Sequence, residues 1–471
     1  MSTWKYRFKT PPDSYQILAL KKALKSKRYG IFFQQRVGKT KVAIDFCGVK
    51  YYSDNVRRVL IVSPLSVRNE WVAQIKEHLP QDILDLTQIF LYPDTTKQQD
   101  KLFETLNQAN ENTMSVVIIN YDKLTTHIER LLKWDAQVVI FDESHLLKNH
   151  NSKRSKMAYK LSKKTNNVLL LTGTPIPKHW YDIFSQFRVL NDRIFGGKWT
   201  NFKNKYAIMG GYMGKEIVGC KDYDYISDTI SYHSIRVLRK DVFDEPDVEY
   251  VTLPVVLEKK AKDMYEVLKK QFVIELSGQQ TVTADMAVTR LMRLQQLCGG
   301  FTTTDEGVLI NVSNAKLNVL KDLVKTKIEG GEQVVIFYRF TAEGQAIHKA
   351  LEGMKITYGA INGSISEQDR KAYRDKFQDG KIDAMVIQIA TGAMGISLDR
   401  AHINIFYSLD FSLSNFQQAR DRVMGRNQKN DVTNYMLAVD KTVDKKIMKT
   451  LEKDEDIASS ISDKWRVIFD E

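Results

Sequence analysis

The chain has 471 residues, 43% of them hydrophobic and 27% charged, and a formal charge of +13. That length exceeds one ordinary core and calls for two or three domains, and the composition is globular rather than disordered. No apolar run approaches the ~18 residues that span a bilayer, the N-terminal MSTWKYRFKTPPDSYQ lacks the apolar core of a signal peptide, and Cys47, Cys220 and Cys298 lie too far apart for a CxxC metal site.

These exclusions leave a protein with no membrane partner and a reduced, cytoplasmic home. The positive charge favours a polyanionic partner, although many basic proteins bind none. Its distribution says more. From Leu146 to Asn167 there are seven Lys or Arg (Lys148, Lys153, Arg154, Lys156, Lys160, Lys163, Lys164) and no acid. Such a stretch is either a solvated helix face or a track for phosphates.

Along the chain, the runs VLIVSP (59–64), VVIINY (116–121), VVIFDE (138–143) and VLLLTGTP (168–175) form one series. VVIFYRF (334–340), AMVIQIA (384–390) and INIFYSL (403–409) form a second. Val- and Ile-rich runs, apolar on both faces and alternating with helical stretches, are those of buried parallel strands in α/β sheets. Ligands of such sheets bind beyond the carboxyl ends of the strands. The stretch 178–310 differs, with Gly196-Gly197, Gly210-Gly211, a hairpin near 211–219 and long helical patterns such as EKKAKDMYEVLKKQFVIEL and TRLMRLQQLC. The expected organisation is an α/β lobe over 1–177, helical protrusions over 178–310, a second α/β lobe over 311–445 and a C-terminal helical brace over 446–471.

Four segments carry chemistry. In Gly38-Lys39-Thr40, Gly lets the backbone approach phosphate, Lys supplies a cation and Thr a hydroxyl for Mg²⁺. The full phosphate-loop pattern asks for Gly at position 33, where this chain has Phe33. Asp142-Glu143-Ser144-His145 follows a buried strand, so one carboxylate can hold Mg²⁺ through water and its neighbour can orient the attacking water. Thr172-Gly173-Thr174-Pro175 is a polar loop after VLLL. Gln417-Gln418-Ala419-Arg420-Asp421-Arg422 lies late in the second lobe, where an arginine reaches the γ-phosphate only if the domains close.

Taken in order, these segments resemble the Swi/Snf-type members of helicase superfamily two from about Pro12 to Lys446. VLIVSPLSVRNEWVAQI resembles motif Ia, FDESHLLKNHNSKRSKMA motif II, LLLTGTPIPKHWYDIFSQF motif III, and SIRVLRKDVF the lobe connection. INGSISEQDRKAYRDKFQDG, ATGAMGISLDRA and QQARDRVMGRNQ resemble motifs of the second lobe. The short chain is similar to compact phage-encoded helicases, the T-five-like bacteriophage type among them.

The resemblance implies two RecA-like lobes with ATP and Mg²⁺ as cofactors. It implies that Tyr15 and Gln16 sense adenine, that Gly38, Lys39, Thr40 and Gly395 contact nucleotide, and that Thr40 and Asp142 hold the metal. Glu143 would position the attacking water and Arg422 would be the first arginine finger. Ser66, Asn120, Lys148, Arg339, Ser364 and Thr391 fall in motifs that resemble strand-tracking surfaces, which touch phosphates rather than bases. Two departures stand out: Arg36 occupies a common Gly position, and the second finger is expected at 425, where Gly425 precedes Arg426. The expected task is remodelling of forked or branched duplex DNA in replication, recombination or repair, by a monomer that works with proteins of those processes. The rivals are a fork-unwinding helicase with Tyr212 or Trp199 as wedge, an ATP-gated DNA clamp, and a motor that displaces DNA-bound proteins.

Overall fold

The computed structural model describes residues 6–177, 179–211, 214–244, 246–277, 284–304, 308–391, 397–425 and 428–452. Within them the chain forms two compact units, one up to residue 243 and one from residue 244.

The first unit is built on a seven-stranded parallel sheet. Its strands are β1 (Arg28–Phe33), β2 (Arg58–Ser63), β3 (Thr87–Leu91), β4 (Met114–Asn120), β5 (Val138–Asp142), β6 (Asn167–Leu171) and, after the hairpin strands β7 (Ala207–Gly210) and β8 (Glu216–Cys220), β9 (Ser234–Val237). The spatial order is β3-β4-β2-β5-β6-β1-β9. Because side chains alternate along a strand, the apolar runs feed two cores, one on each face of the sheet. Leu60, Val62, Val139, Phe141, Val168 and Leu170 enter one core, while Val59, Ile61, Val138, Ile140, Leu169 and Leu171 enter the other. Burial on both faces is why the strands read as continuous apolar runs rather than alternating ones.

The second unit carries a six-stranded parallel sheet in the order β10-β17-β16-β13-β15-β14. It contains β10 (Val248–Val255), the small hairpin β11 (Phe301–Thr303) with β12 (Leu309–Asn311), then β13 (Val334–Tyr338), β14 (Tyr358–Ile361), β15 (Ala384–Gln388), β16 (Ile403–Phe406) and β17 (Val432–Val439).

The stretch 178–310 is shared between the units. It supplies β9 to the first sheet and β10 to the second, two strands whose sequences, SIRV and VEYVTLPV, are short or half-polar because they sit at sheet edges. Its long patterns are helices at Lys259–Ser277 and Ala284–Cys298. The hairpin pairs β7 with β8 antiparallel, and Tyr212 in its turn lies outside the described residues. Of the C-terminal segment, 443–452 is helical and 453–471 lies outside the described residues. Among the described residues no helix is long and apolar enough to cross a membrane.

Candidate active site

In the first sheet β5, β6 and β1 are neighbours, so the loops after them share one rim. β1 runs to Phe33, which is fully buried with its ring edge-on to Tyr15 at 5.6 Å. Position 33 is therefore extended strand, where a core phenylalanine serves and a glycine is not needed. The turn comes later, at Arg36 (φ 67°) and Gly38 (φ 84°), both left-handed. Arg36 thus adopts the conformation for which glycine is the common choice. Gly38 caps the helix Lys39–Ser53, and a Cβ there would overlap the side-chain amide of Gln16. Gln16 Oε1 accepts from the Asp13 amide at 3.0 Å and Nε2 donates to the Val37 carbonyl at 3.3 Å, while Tyr15 donates its hydroxyl to Asp13 Oδ2 at 2.8 Å. The residues expected to sense adenine brace the phosphate loop from beneath.

Asp142 ends β5, buried, and accepts from Trp71 Nε1 at 2.9 Å and from the Glu143 amide at 3.0 Å. Glu143 is left-handed (φ 50°, ψ 51°), a turn that swings its side chain across the rim. One of its oxygens lies 3.8 Å from Lys39 Nζ, and the other lies 3.2 Å from His145 Nδ1 and accepts from Thr172 Oγ1 at 3.2 Å. Burial, reinforced by the charge of Glu143, raises the Asp142 carboxyl above the usual range. Burial acts upward on Glu143 too, but Lys39, His145 and Thr172 outweigh it and hold that carboxyl below its usual value. The pair is split electrostatically, with the outer carboxylate the firmer anion.

The third loop closes on the first. A Cβ on Gly173 would lie 3.3 Å from the Gln35 amide nitrogen and 3.4 Å from the Phe33 carbonyl oxygen, so the TGTP turn abuts the phosphate loop. Gln186 ties it to the DESH segment, accepting from Ser144 Oγ at 2.9 Å and donating to the Pro175 carbonyl at 2.6 Å.

This cradle fits a nucleotide triphosphate. A glycine-capped helix N-terminus offers unpartnered amides and the positive end of a dipole, with Lys39 beside it. Thr40 on the first helical turn and Asp142 are the oxygen donors that could hold Mg²⁺.

The neighbouring strands β2 and β4 end on the same rim, Ser63 pairing with Asn120. Ser66 sits in the single turn Leu65–Val67 after β2. Asn120 is buried, and its Oδ1 caps the helix Tyr121–Thr126 by accepting from the Lys123 amide at 2.9 Å. Lys148 is exposed just beyond the DESH turn. Of the basic stretch, Arg154, Lys160 and Lys163 pair with Asp122, Glu129 and Asp192. Lys148, Lys153 and Lys156 have no ion pair among the described residues.

In the second sheet, β13, β15 and β14 are adjacent, and Arg339, Thr391 and Ser364 follow their carboxyl ends. The Arg339 guanidinium donates to Gln295 Oε1 and lies over the rings of Phe340 and Phe411 at 5.0 and 5.5 Å. Its backbone amide donates to Glu343 and Ser408. Thr391 Oγ1 donates to the Gln388 carbonyl at 2.9 Å, and Ser364 Oγ to Asn362 Oδ1 at 2.7 Å. Arg422 is buried after the helix Leu413–Arg420. Gly425 is packed so closely that a Cβ would overlap Asp399, whose carboxylate accepts from Gln378 Nε2 at 2.6 Å. No larger side chain fits at 425 without moving Asp399. Arg426 and Gly395 lie outside the described residues.

Trp71, His145, Gln186 and Gln295 were not singled out from the sequence. Only His145 carried a signal there, by standing in the DESH segment. Trp71 and Gln186 lie inside the segments that resemble motifs Ia and III, and Gln295 in the helical pattern TRLMRLQQLC, but no local feature assigns any of them a partner.

Two family models match the chain: SNF2-related domain over residues 15–300 and Helicase conserved C-terminal domain over 315–427. Among relatives, the human DNA annealing helicase and endonuclease ZRANB3 is 25% identical over 424 residues, covering 87% of this chain and 36% of that protein. The Saccharomyces cerevisiae ISWI chromatin-remodeling complex ATPase ISW1 is 25% identical over 443 residues, covering 90% and 38%. The solved Sulfolobus solfataricus SWI2/SNF2 ATPase core in complex with dsDNA aligns with a TM-score of 0.45 at 21% identity, covering 98% of this chain and 95% of that one. The chain spans little more than a third of the length of these two curated relatives. With the first model extending over more than half of its residues and the second following directly, the chain belongs to the SNF2-related domain family.

Proposed function

We propose that the protein is a DNA-dependent ATPase that translocates on duplex DNA and remodels branched or forked substrates. The observation that carries this is the meeting of Lys39, Asp142, Glu143 and Thr172 on a rim whose next two strand ends bear Ser66 and Asn120. Nucleotide chemistry and strand contact would then share one edge of one rigid sheet. Kinship with helicases and remodelling ATPases supports the same reading.

In this mechanism the amides at the start of the helix Lys39–Ser53 and the Lys39 ammonium bind the β- and γ-phosphates. Mg²⁺, held by Thr40 and Asp142, would supply positive charge to the phosphate oxygens. Trp71 keeps Asp142 turned to the rim. Glu143, kept anionic by Lys39, His145 and Thr172, orients water and accepts its proton. Gly395, Tyr15 and Gln16 complete nucleotide binding, and Arg422 with Arg426 supplies the arginine fingers. Lys148, Arg339, Ser364 and Thr391 contact phosphates, so binding is indifferent to sequence. The protein acts as a monomer, in the cytoplasm where its three free cysteines stay reduced, and is kin to compact phage-encoded helicases.

The test compares forks, four-way junctions and plain duplexes for ATPase and strand rearrangement in one assay. Remodelling confined to branched substrates is expected. ATPase that gains nothing from a longer duplex would instead identify a clamp, and strand separation without branch migration would identify an unwinding helicase.

A further inference from the structure

The protrusion of the first unit carries a hollow that this mechanism leaves unused. It measures about 430 Å³ and is lined by Tyr181, Trp199 and Lys203 on one wall and by Lys215, Glu216 and Ile217 of the hairpin on the other. Trp199 and Lys203 stand four residues apart on the helix Trp199–Tyr206, and so on one face of it. Tyr181 stacks on His179, centroids 4.9 Å apart and planes 15° apart. Trp199 stacks on His150 at 4.7 Å and 25°, and His150 lies two residues beyond Lys148. His150 thus joins the wall of the hollow to the segment that begins the basic stretch at Lys148.

We propose that this hollow binds an unpaired nucleotide of single-stranded DNA, a site separate from the duplex track. A surface that only tracks phosphates needs cations alone. Trp199 is already stacked on His150 and on Phe202, so the ring that can receive a base is Tyr181, and one such ring beside two ammonium groups suits a ligand with a π-face and a phosphate together. A base inside a duplex has both faces covered by its neighbours and cannot offer one, whereas a base released at a branch can. The Glu216 carboxylate adds an acceptor for an exocyclic amine. The proposal rests on the protein being a DNA motor, since that is what would bring an unpaired strand to the end of the basic stretch.

The experiment uses the full chain and measures fluorescence anisotropy with a short oligothymidylate, an abasic strand of equal length and a short blunt duplex, alongside duplex-stimulated ATPase. The wild type should prefer the base-bearing strand over the abasic one by about tenfold. Tyr181→Ala should erase that preference, and the surface reversal Lys203→Glu with Lys215→Glu should weaken oligothymidylate binding by about tenfold while duplex affinity and ATPase stay within about twofold. Equal wild-type affinity for base-bearing and abasic strands would overturn the proposal, as would variants that keep the full preference. Parallel loss of duplex stimulation in the Lys203/Lys215 variant would also overturn it, because the hollow would then belong to the duplex track. A wild type with base preference but no duplex stimulation would uphold the hollow and sink the motor mechanism instead.

Discussion

The first unit gathers Lys39, Asp142 and Thr172 around Glu143 at three neighbouring strand ends, whereas in the second Arg339, Thr391 and Ser364 make no direct hydrogen bond to one another among the described residues, Arg339 and Thr391 being linked through Gln388. Both units present polar residues at the carboxyl ends of adjacent parallel strands, so the architecture alone does not account for the difference. On the proposed function, it lies in what each rim would hold. Phosphoryl transfer needs several groups within hydrogen-bond reach of one small reacting centre, and preorganised charge there is the largest catalytic term. A track needs single contacts at intervals, each firm but independent. The same fold can therefore host a cooperative site and a distributed one, and substitutions should behave accordingly.

The sharpest break in that comparison comes from the first rim. Lys39→Ala should abolish nucleotide binding or turnover, and Glu143→Gln should keep ATP bound while losing about 10²–10³ or more in turnover, because a water-orienting group matters more to the transition state than to the ground state. Equilibrium ATP binding and steady-state hydrolysis check both, and wild-type turnover in either protein would refute the assignment. Next in size are the arginines. Arg422→Ala and Arg426→Ala are each expected to lower DNA-stimulated turnover at saturating ATP, by up to about 10³ for a true finger, with DNA affinity nearly unchanged. Since Arg422 is buried, circular dichroism must show that the variant folds. Full turnover in Arg426→Ala would mean the enzyme runs on one finger.

Gly425 offers a stability test within the second unit. Gly425→Ala should cost about 1–3 kcal/mol by overpacking against Asp399, and Asp399→Gly should restore most of it, as read by denaturant unfolding. Additive losses in the double variant would show that the clash with Asp399 does not explain the glycine.

Smaller effects separate the tracks. Reversing Lys148 and Lys153 should flatten the log–log salt dependence of duplex binding by about 0.9 for each phosphate left without its cation, and Arg339→Ala should flatten it by one such step. A cooperative track would instead lose more than the sum. Smallest is a response to acid. Burial, only partly opposed by Glu352, holds His348 below the usual 6.5 of histidine, and its Nε2 has no hydrogen-bond partner among the described residues. The unfolded chain therefore takes up this proton at higher pH than the folded one, so the second unit should be unaffected above about pH 7.5 and lose stability as pH falls through 6.5. His348→Phe should remove part of that loss in thermal melts, and an identical pH profile in the variant would exclude this histidine.

Much of this molecule was legible from its residues alone. The buried strands announced themselves as Val- and Ile-rich runs because both faces of a parallel sheet are covered. Asp142, Glu143 and Thr172 were legible because they stand at the ends of such runs, where an α/β sheet exposes polar groups, and Lys39 was legible from the tripeptide Gly38-Lys39-Thr40 rather than from the strand before it. β1, β3, β14 and β17 are not among those runs, and neither are the edge strands β9 and β10, where four residues or a half-polar face leave no period to detect.

What the sequence by itself determined, then, is which residues stand at strand ends and what chemistry each brings, since local period and residue type suffice for that. Only the tertiary structure decided that β5, β6 and β1 are neighbours, that Trp71 and Gln186 orient Asp142 and the TGTP turn, and why glycine stands at 425. Strand order and side-chain contacts between distant segments follow from the packing of the whole core, which no local window of sequence contains.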